Sequence, residues 1–402
     1  MRRAWGRAVG AFLLLWASAG CTTSQGDEPE PSGPYRRVAS VSTGEAPASL
    51  GLADFDQDAN LDLVVANNQG ATLSTFRGNG KGGFAAGGKL DAGQEPRSVA
   101  AADFDGDGFV DVAVVNQADS TLGVYSNQKD GTFSPATTVV TGKSPTFVIA
   151  RDLNQDGRPD LLVTNADDDS LSVFLAAAPG GFEPRVDFDA GTNPVRAALV
   201  DLDSDGALDV VTATRVVPPT VSVLMGDGKG AFGAPTKYKA SNRPGLVFPI
   251  APQAITAGDV NGDGKQDVVV GNRGLDILDG EVWLLAGDGT GTLNPPAALP
   301  GVTVLAPAFM ELVDFDGDGT LDIVEADHDP SLAAVVAAIA GSGFSVCIAS
   351  GDGLGSFEHT ACLPTGDYPY EVATGLLNAD GKLDLVTADA GSDSVSVHLA
   401  NF

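Results

Sequence analysis

Asp103-Phe104-Asp105-Gly106-Asp107-Gly108-Phe109-Val110-Asp111 carries aspartate at its first, third, fifth and ninth positions. Carboxylates at alternate positions, with glycine letting the chain curl, aim several oxygens at one point. Uncompensated carboxylates at contact distance repel, so such a loop is favourable only around a hard, oxygen-loving cation. The pattern recurs as Asp54-Phe55-Asp56-Gln57-Asp58-Ala59-Asn60-Leu61-Asp62 and Asp152-Leu153-Asn154-Gln155-Asp156-Gly157-Arg158-Pro159-Asp160. It returns as Asp201-Leu202-Asp203-Ser204-Asp205-Gly206-Ala207-Leu208-Asp209 and Asp259-Val260-Asn261-Gly262-Asp263-Gly264-Lys265-Gln266-Asp267. The sixth copy is Asp314-Phe315-Asp316-Gly317-Asp318-Gly319-Thr320-Leu321-Asp322. The seventh, Leu376-Leu377-Asn378-Ala379-Asp380-Gly381-Lys382-Leu383-Asp384, has leucine in place of the first aspartate. Successive copies start 49, 49, 49, 58, 55 and 62 residues apart, so the chain is a seven-fold repeat.

One repeat, residues 95–142, shows what the unit is. Residues 98–104 form a short apolar strand that leads into the acidic loop. Residues 111–116 (DVAVVN) are β-branched and nearly all apolar, as suits a strand covered on both faces. Residues 120–127 alternate as a third strand, Lys129-Asp130-Gly131 turns the chain, and residues 133–141 make a fourth. A four-stranded unit cannot bury both of its faces alone. It stacks on copies of itself, and seven copies close into an all-β, seven-bladed β-propeller of four-stranded antiparallel blades. The last repeat stops after its third strand, residues 394–400, while residues 36–44 (RRVASVSTG) resemble the fourth strands at 138–142 and 186–191. The N-terminal strand is therefore expected to complete the last blade and close the ring.

These loops, their spacing, the seven copies and the segment Phe232-Gly233-Ala234-Pro235 resemble FG-GAP/VCBS repeats, as in the propeller of integrin α subunits. The resemblance spans residues 35–402. It implies calcium held by the side chains at positions one, three, five and nine, with the backbone carbonyl at position seven. Those carbonyls belong to Asn60, Phe109, Arg158, Ala207, Lys265 and Thr320. Ala59 stands where the other loops have glycine, and the seventh loop keeps only Asn378, Asp380 and Asp384. Six or seven structural Ca2+ ions are expected. An EF-hand is excluded, because it needs flanking helices and glutamate at position twelve. Only the sixth loop has that glutamate, Glu325, and there it lies inside a strand pattern.

Residues 1–20 read as a signal peptide, with Arg2, Arg3 and Arg7 ahead of an apolar stretch too short to span a membrane. Ser18-Ala19-Gly20 before Cys21 is similar to a bacterial lipobox, in which that cysteine carries the lipid. The alternative is an ordinary secretory signal. Residues 21–34, rich in Pro, Gly and acid, read as a flexible tether from Cys21, and 35–402 as the propeller. The expected location is the bacterial cell envelope, outer membrane or cell surface, with the membrane touched through the lipid anchor only; otherwise the protein is expected to be periplasmic or secreted. Cys347 and Cys362 flank the turn Gly351-Asp352-Gly353-Leu354-Gly355 and can face each other across a hairpin. In an oxidising compartment a disulfide is expected there; the alternative is two reduced core cysteines.

The net charge of −30 argues against nucleic acid, whose phosphates need Lys and Arg. Nearly half of the 53 acidic residues lie in the seven loops, so the acidity is chiefly a metal signature. Glycine-rich turns such as Gly226-Asp227-Gly228-Lys229-Gly230 precede strands and not helices, which removes the helix N-terminus that a nucleotide loop needs. Of three histidines, His359 and His398 fall in strand patterns, and only His328, in Asp327-His328-Asp329-Pro330, suggests a metal or base. No nucleophile or acid–base pair stands apart from the loops, so no enzyme activity is expected.

The binding face is expected opposite the acidic loops, where strand one of each repeat begins near Arg97, Phe147, Arg196, Phe309 and Tyr370. Insertions at 241–252, 273–279 and 327–343, with Arg273 and His328, break the symmetry on that side. The expected function is recognition of an envelope protein or glycan there. The alternatives are a polysaccharide lyase or glycosidase, or a lectin.

Overall fold

Each second strand has to be apolar along its whole length because its two faces look into two different gaps. Val64 and Ala66 pack towards blade two, while their neighbours Leu63 and Val65 pack towards blade seven. The computed structural model describes residues 35–177, 180–216, 218–243, 251–273, 280–299, 302, 307–327 and 345–400. These form seven antiparallel four-stranded sheets arranged in a ring. There is no single core. Seven apolar clusters, one in each gap between neighbouring blades, share the burial. Among the described residues the one helical element is a single 3-10 turn, Ala166–Asp168.

The innermost strands run Pro47–Ala53, Pro96–Ala102, Pro145–Arg151, Pro194–Val200, Ala251–Gly258, Pro307–Val313 and Pro369–Gly375. Neighbouring innermost strands touch around the ring and enclose the axis. Each is followed by an acidic loop, so all seven loops share one rim and the strand starts share the other. The ring closes as expected. Tyr35–Ser42 pairs antiparallel with Ser394–Ala400 and supplies the fourth strand of blade seven.

Second-strand bounds match the sequence reading, with Asp111–Asn116 the example in blade two. The fourth strand there is shorter than expected, Thr137–Val140 in place of 133–141. Phe133 makes an isolated bridge with Asn127 and packs edge-on against Phe55 of blade one, 5.3 Å between ring centroids. Pro135 follows and lacks the N–H that a ladder needs. The aromatic is thus used to fill an inter-blade gap before the strand begins. Cys347 and Cys362 are cross-strand partners in blade six and are joined by a disulfide.

Candidate functional site

The acidic loops are held at their base by position nine. Asp111 Oδ2 accepts the Phe104 N–H at 3.0 Å and its Oδ1 accepts the Asn127 N–H at 2.8 Å, tying the loop to the end of strand three. Asp62, Asp160, Asp209, Asp267, Asp322 and Asp384 make the same pair of bonds. All seven carboxylates are buried. Burial pushes Asp111 and Asp384 up to about 6, against the pull of those backbone donors. Position one shapes the turn above. Asp103 Oδ1 accepts the N–H groups of Gly106 and Asp107, and its Oδ2 accepts that of Gly108. Position five caps position seven, as Asp107 does for Phe109 at 2.9 Å.

With those bonds made, carboxylate oxygens still converge. Acidic oxygens from Asp103, Asp105 and Asp111 lie within 4.8 Å of one another, as do those of Asp201, Asp203 and Asp209, and of Asp314, Asp316 and Asp322. In the first loop the converging set is Asp54, Asp56 and Asp58. The third and fifth loops have Asn154 and Asn261 at position three, an amide in place of the carboxylate there. The donors are all hard oxygens, and Asp56 Oδ1 is buried without a hydrogen-bond partner. Both facts fit a divalent cation taking oxygen ligands. Ala59 adopts φ of +70°, the conformation glycine holds in the other loops (Gly108, φ +92°), so the first loop carries backbone strain. In the seventh, Leu376 is half exposed where a carboxylate would stand.

The glycine-rich turns serve these loops. A Cβ on Gly180 would lie 2.9 Å from the Asp105 Cβ, so blade three's hairpin rests directly on blade two's loop. The Gly355 and Gly291 N–H groups likewise bond Val260 O and Leu202 O of the preceding blade.

The opposite rim has another organisation. Of the seven residues expected to form the binding face, Arg97, Phe147, Arg196, Phe309 and Tyr370 meet around the axis. Arg97 stacks on the Tyr370 ring, 4.8 Å from its centroid, and its Nη2 donates to the Tyr370 hydroxyl. Arg196 is sandwiched between Phe147 and Phe309, 4.9 and 4.7 Å from the centroids, and its Nη1 lies 3.6 Å from Glu371 Oε2. Arg273 is half-buried at the end of Asp267–Arg273. His328 and most of the three insertions lie outside the described residues, as does Cys21.

Arg97, Arg196 and Arg215 line a cavity of about 160 Å³ at the channel mouth, together with Tyr370, Asp167 and several amides and hydroxyls. Below Arg196 the channel opens again into about 300 Å³, lined by Glu311, Glu371 and Thr256 among mostly apolar side chains. Glu371 Oε1 accepts Ser49 Oγ at 2.8 Å. Burial weighs against charge on both Arg196 and Glu371, and their mutual attraction opposes it. Glu311 accepts Thr374 Oγ1 at 3.1 Å, while its Oε2 is sealed from solvent and unpartnered. Burial, with Glu371 nearby, pushes it up to about 7. This carboxyl pair, missed in the sequence, has a visible signal. Six innermost strands begin with proline, and the seventh has Pro252 at its second residue. Aligned on those prolines, Glu311 and Glu371 stand where other blades carry uncharged residues or, once, Arg196. The asparagines ending the second strands are buried; Asn67 Oδ1 accepts the Gly44 N–H at 2.9 Å and Asn116 Oδ1 the Gly93 N–H at 3.1 Å.

A family model described as FG-GAP-like repeat matches residues 54–114, 103–163, 152–212 and 259–325, more than half of the chain. No curated protein matches the sequence. Among solved structures, BBS1N in complex with ARL6DN is similar at 13% identity and TM-score 0.60, over 92% of this chain and 98% of that one. Virginiamycin B lyase from Staphylococcus aureus is similar at 11% identity and TM-score 0.56, over 91% and 99%. An Agrocybe aegerita lectin that recognises non-reducing terminal N-acetylglucosamine is similar at 18% identity and TM-score 0.50, over 89% and 86%. At these identities the likeness is one of fold.

Proposed function

The chain belongs to the FG-GAP-like repeat family, and from that premise we propose that it is a calcium-stabilised binding propeller of the cell envelope. It recognises a protein or glycan through the rim opposite the acidic loops. The observation that carries this reading is the difference between the rims. One repeats a single all-oxygen arrangement around the ring; the other gathers unrepeated residues, including three arginines, around a cavity on the axis. Repetition serves the ring as a whole, whereas a unique cluster serves a ligand. Calcium is the structural ion of this reading, held by positions one, three, five and nine. BBS1N, with ARL6DN bound, and the lectin are propellers of similar fold that bind a protein and a sugar. Lipid-modified Cys21 tethers the propeller to the membrane. The chain acts as a binder and not an enzyme.

Calorimetry in calcium and in excess EDTA tests the ion, and a melt unchanged by EDTA rejects it. A glycan array and envelope extracts, probed with the whole chain and with a Thr146→Trp variant that fills the mouth, test the face. Binding undiminished by the filled mouth moves the site elsewhere. A polysaccharide lyase or glycosidase is the second reading, favoured by the buried carboxyls Glu311 and Glu371 beneath Arg196. Turnover of a bound glycan that is lost in Glu311→Gln would establish it.

A further inference from the structure

We propose that the channel mouth is a subsite for an acidic sugar, whose carboxylate is held by Arg97 and Arg215 above the guanidinium of Arg196. This rests on the reading that the mouth is the binding rim.

The first argument is charge. The chain has 23 basic residues against 53 acidic ones, yet three arginines line this one cavity, and Arg273 lies close enough for its charge to act on Arg215. Among the described residues, the acids facing them are exposed Asp167 in the wall and Glu371, which pairs with Arg196 below. The Arg215 side chain makes no hydrogen bond or ion pair with any described residue, while its backbone N–H donates to Asn193 O at 2.9 Å. Burial, and the like charges of Arg97 and Arg273, act against its own charge. Cations gathered without matching anions repel, and an incoming anion relieves that repulsion.

The second argument is an unmet donor. Arg196 is 8% exposed, and its Nη1 is buried without a hydrogen-bond partner. Its ion pair with Glu371, at 3.6 Å, is longer than a hydrogen bond. A buried N–H of a charged group left unmade is costly, and Arg196 lines the cavity that an acceptor would enter. Arg97 is already oriented by its stacking on Tyr370, so little side-chain freedom is lost when it binds.

The third argument selects a sugar over a peptide end. Most of the rest of the wall is amide and hydroxyl, from Gln117, Ser144, Thr146, Asn193 and Gln253, with Ala166, Val195 and Ala308 its apolar members. That lining suits a compact polyhydroxylated ring more than an apolar side chain.

The test is titration calorimetry of the whole chain, calcium-loaded, against oligomers of galacturonate, glucuronate and mannuronate. Neutral oligogalactose and an acidic peptide serve as comparisons. One uronate is expected to bind, about ten-fold or more tighter than oligogalactose, and to weaken as sodium chloride rises. Arg215→Gln and Arg97→Gln, each with an unchanged melting temperature, are expected to weaken it about ten-fold or more. Equal binding of uronate and oligogalactose, both blocked by Thr146→Trp, overturns the anion site but leaves the mouth as the binding rim. Arg215-dependent binding of the acidic peptide alone overturns the sugar assignment and likewise spares that rim. If no uronate binds, the inference is overturned. If the ligand from the array or extracts also ignores Thr146→Trp, the reading of the rim falls with it.

Discussion

The two rims of this propeller solve opposite problems with the same scaffold. On the loop rim, seven position-nine aspartates make the same two bonds, and removing any one should cost the same. On the mouth rim, no two blades carry the same pair of residues after the proline near the strand start. There, each change should have its own price. Equivalence marks what the ring needs to exist, and inequivalence marks what this chain uses the ring for.

Four substitutions test that contrast. Asp111→Ala removes two charge-assisted bonds at a buried site and leaves two backbone N–H groups unmet. The expected loss is roughly 3–6 kcal/mol by denaturant titration. Asp209→Ala should match it, and a several-fold smaller loss at Asp209 breaks the claimed equivalence. Arg196→Met strands Glu371 as an unpaired buried acid and should cost about 3–5 kcal/mol. The double variant Arg196→Met/Glu371→Gln should recover most of that, and a double variant no better than the single would show that the pair is not the source.

Glu311 supplies the pH test. Its carboxyl is raised from 4.5 to about 7 in the folded chain, so the folded state binds the extra proton. The stability it contributes is full below pH 4.5, falls as pH rises towards 7, and is gone above that. Glu311→Gln should therefore flatten the pH dependence in that window. At pH 8 the variant should be more stable by up to roughly 3 kcal/mol, read from melting curves across pH. A pH profile parallel to the parent would disprove the assignment. The smallest effect is expected at the irregular loop: Ala59→Gly should relieve the left-handed strain and stabilise by roughly 1 kcal/mol. A destabilised Ala59→Gly would mean the alanine methyl is in a useful contact.

Much of this was readable because the loops keep register. Seven acidic motifs, each followed by a β-branched strand, can be counted without knowing a coordinate, and the missing fourth strand at one end points to the orphan strand at the other. The fourth-strand limits were not readable, because Phe133 looks like a strand residue and is spent on a neighbouring blade. The channel was missed for a different reason. Glu311 and Glu371 lie in short strands whose composition is otherwise apolar, and only stacking seven strands about an axis brings them near Arg196. Periodicity reports what repeats, so a site built from the exceptions is silent until the repeats are superposed.

The closing strand has a consequence for how the protein is made. Arg37 donates to Ser396 at 2.9 Å across 359 residues of sequence, so the earliest described strand of the ring pairs with the latest. At about 5–20 residues per second, Tyr35–Ser42 waits on the order of tens of seconds for its partner, with a β edge open to solvent. Such late, long-range closure should make ring completion a slow step. Its exposed residues in the meantime include Arg36, Arg37 and Ser40, a polar, charged edge that discourages pairing with other chains before the ring shuts.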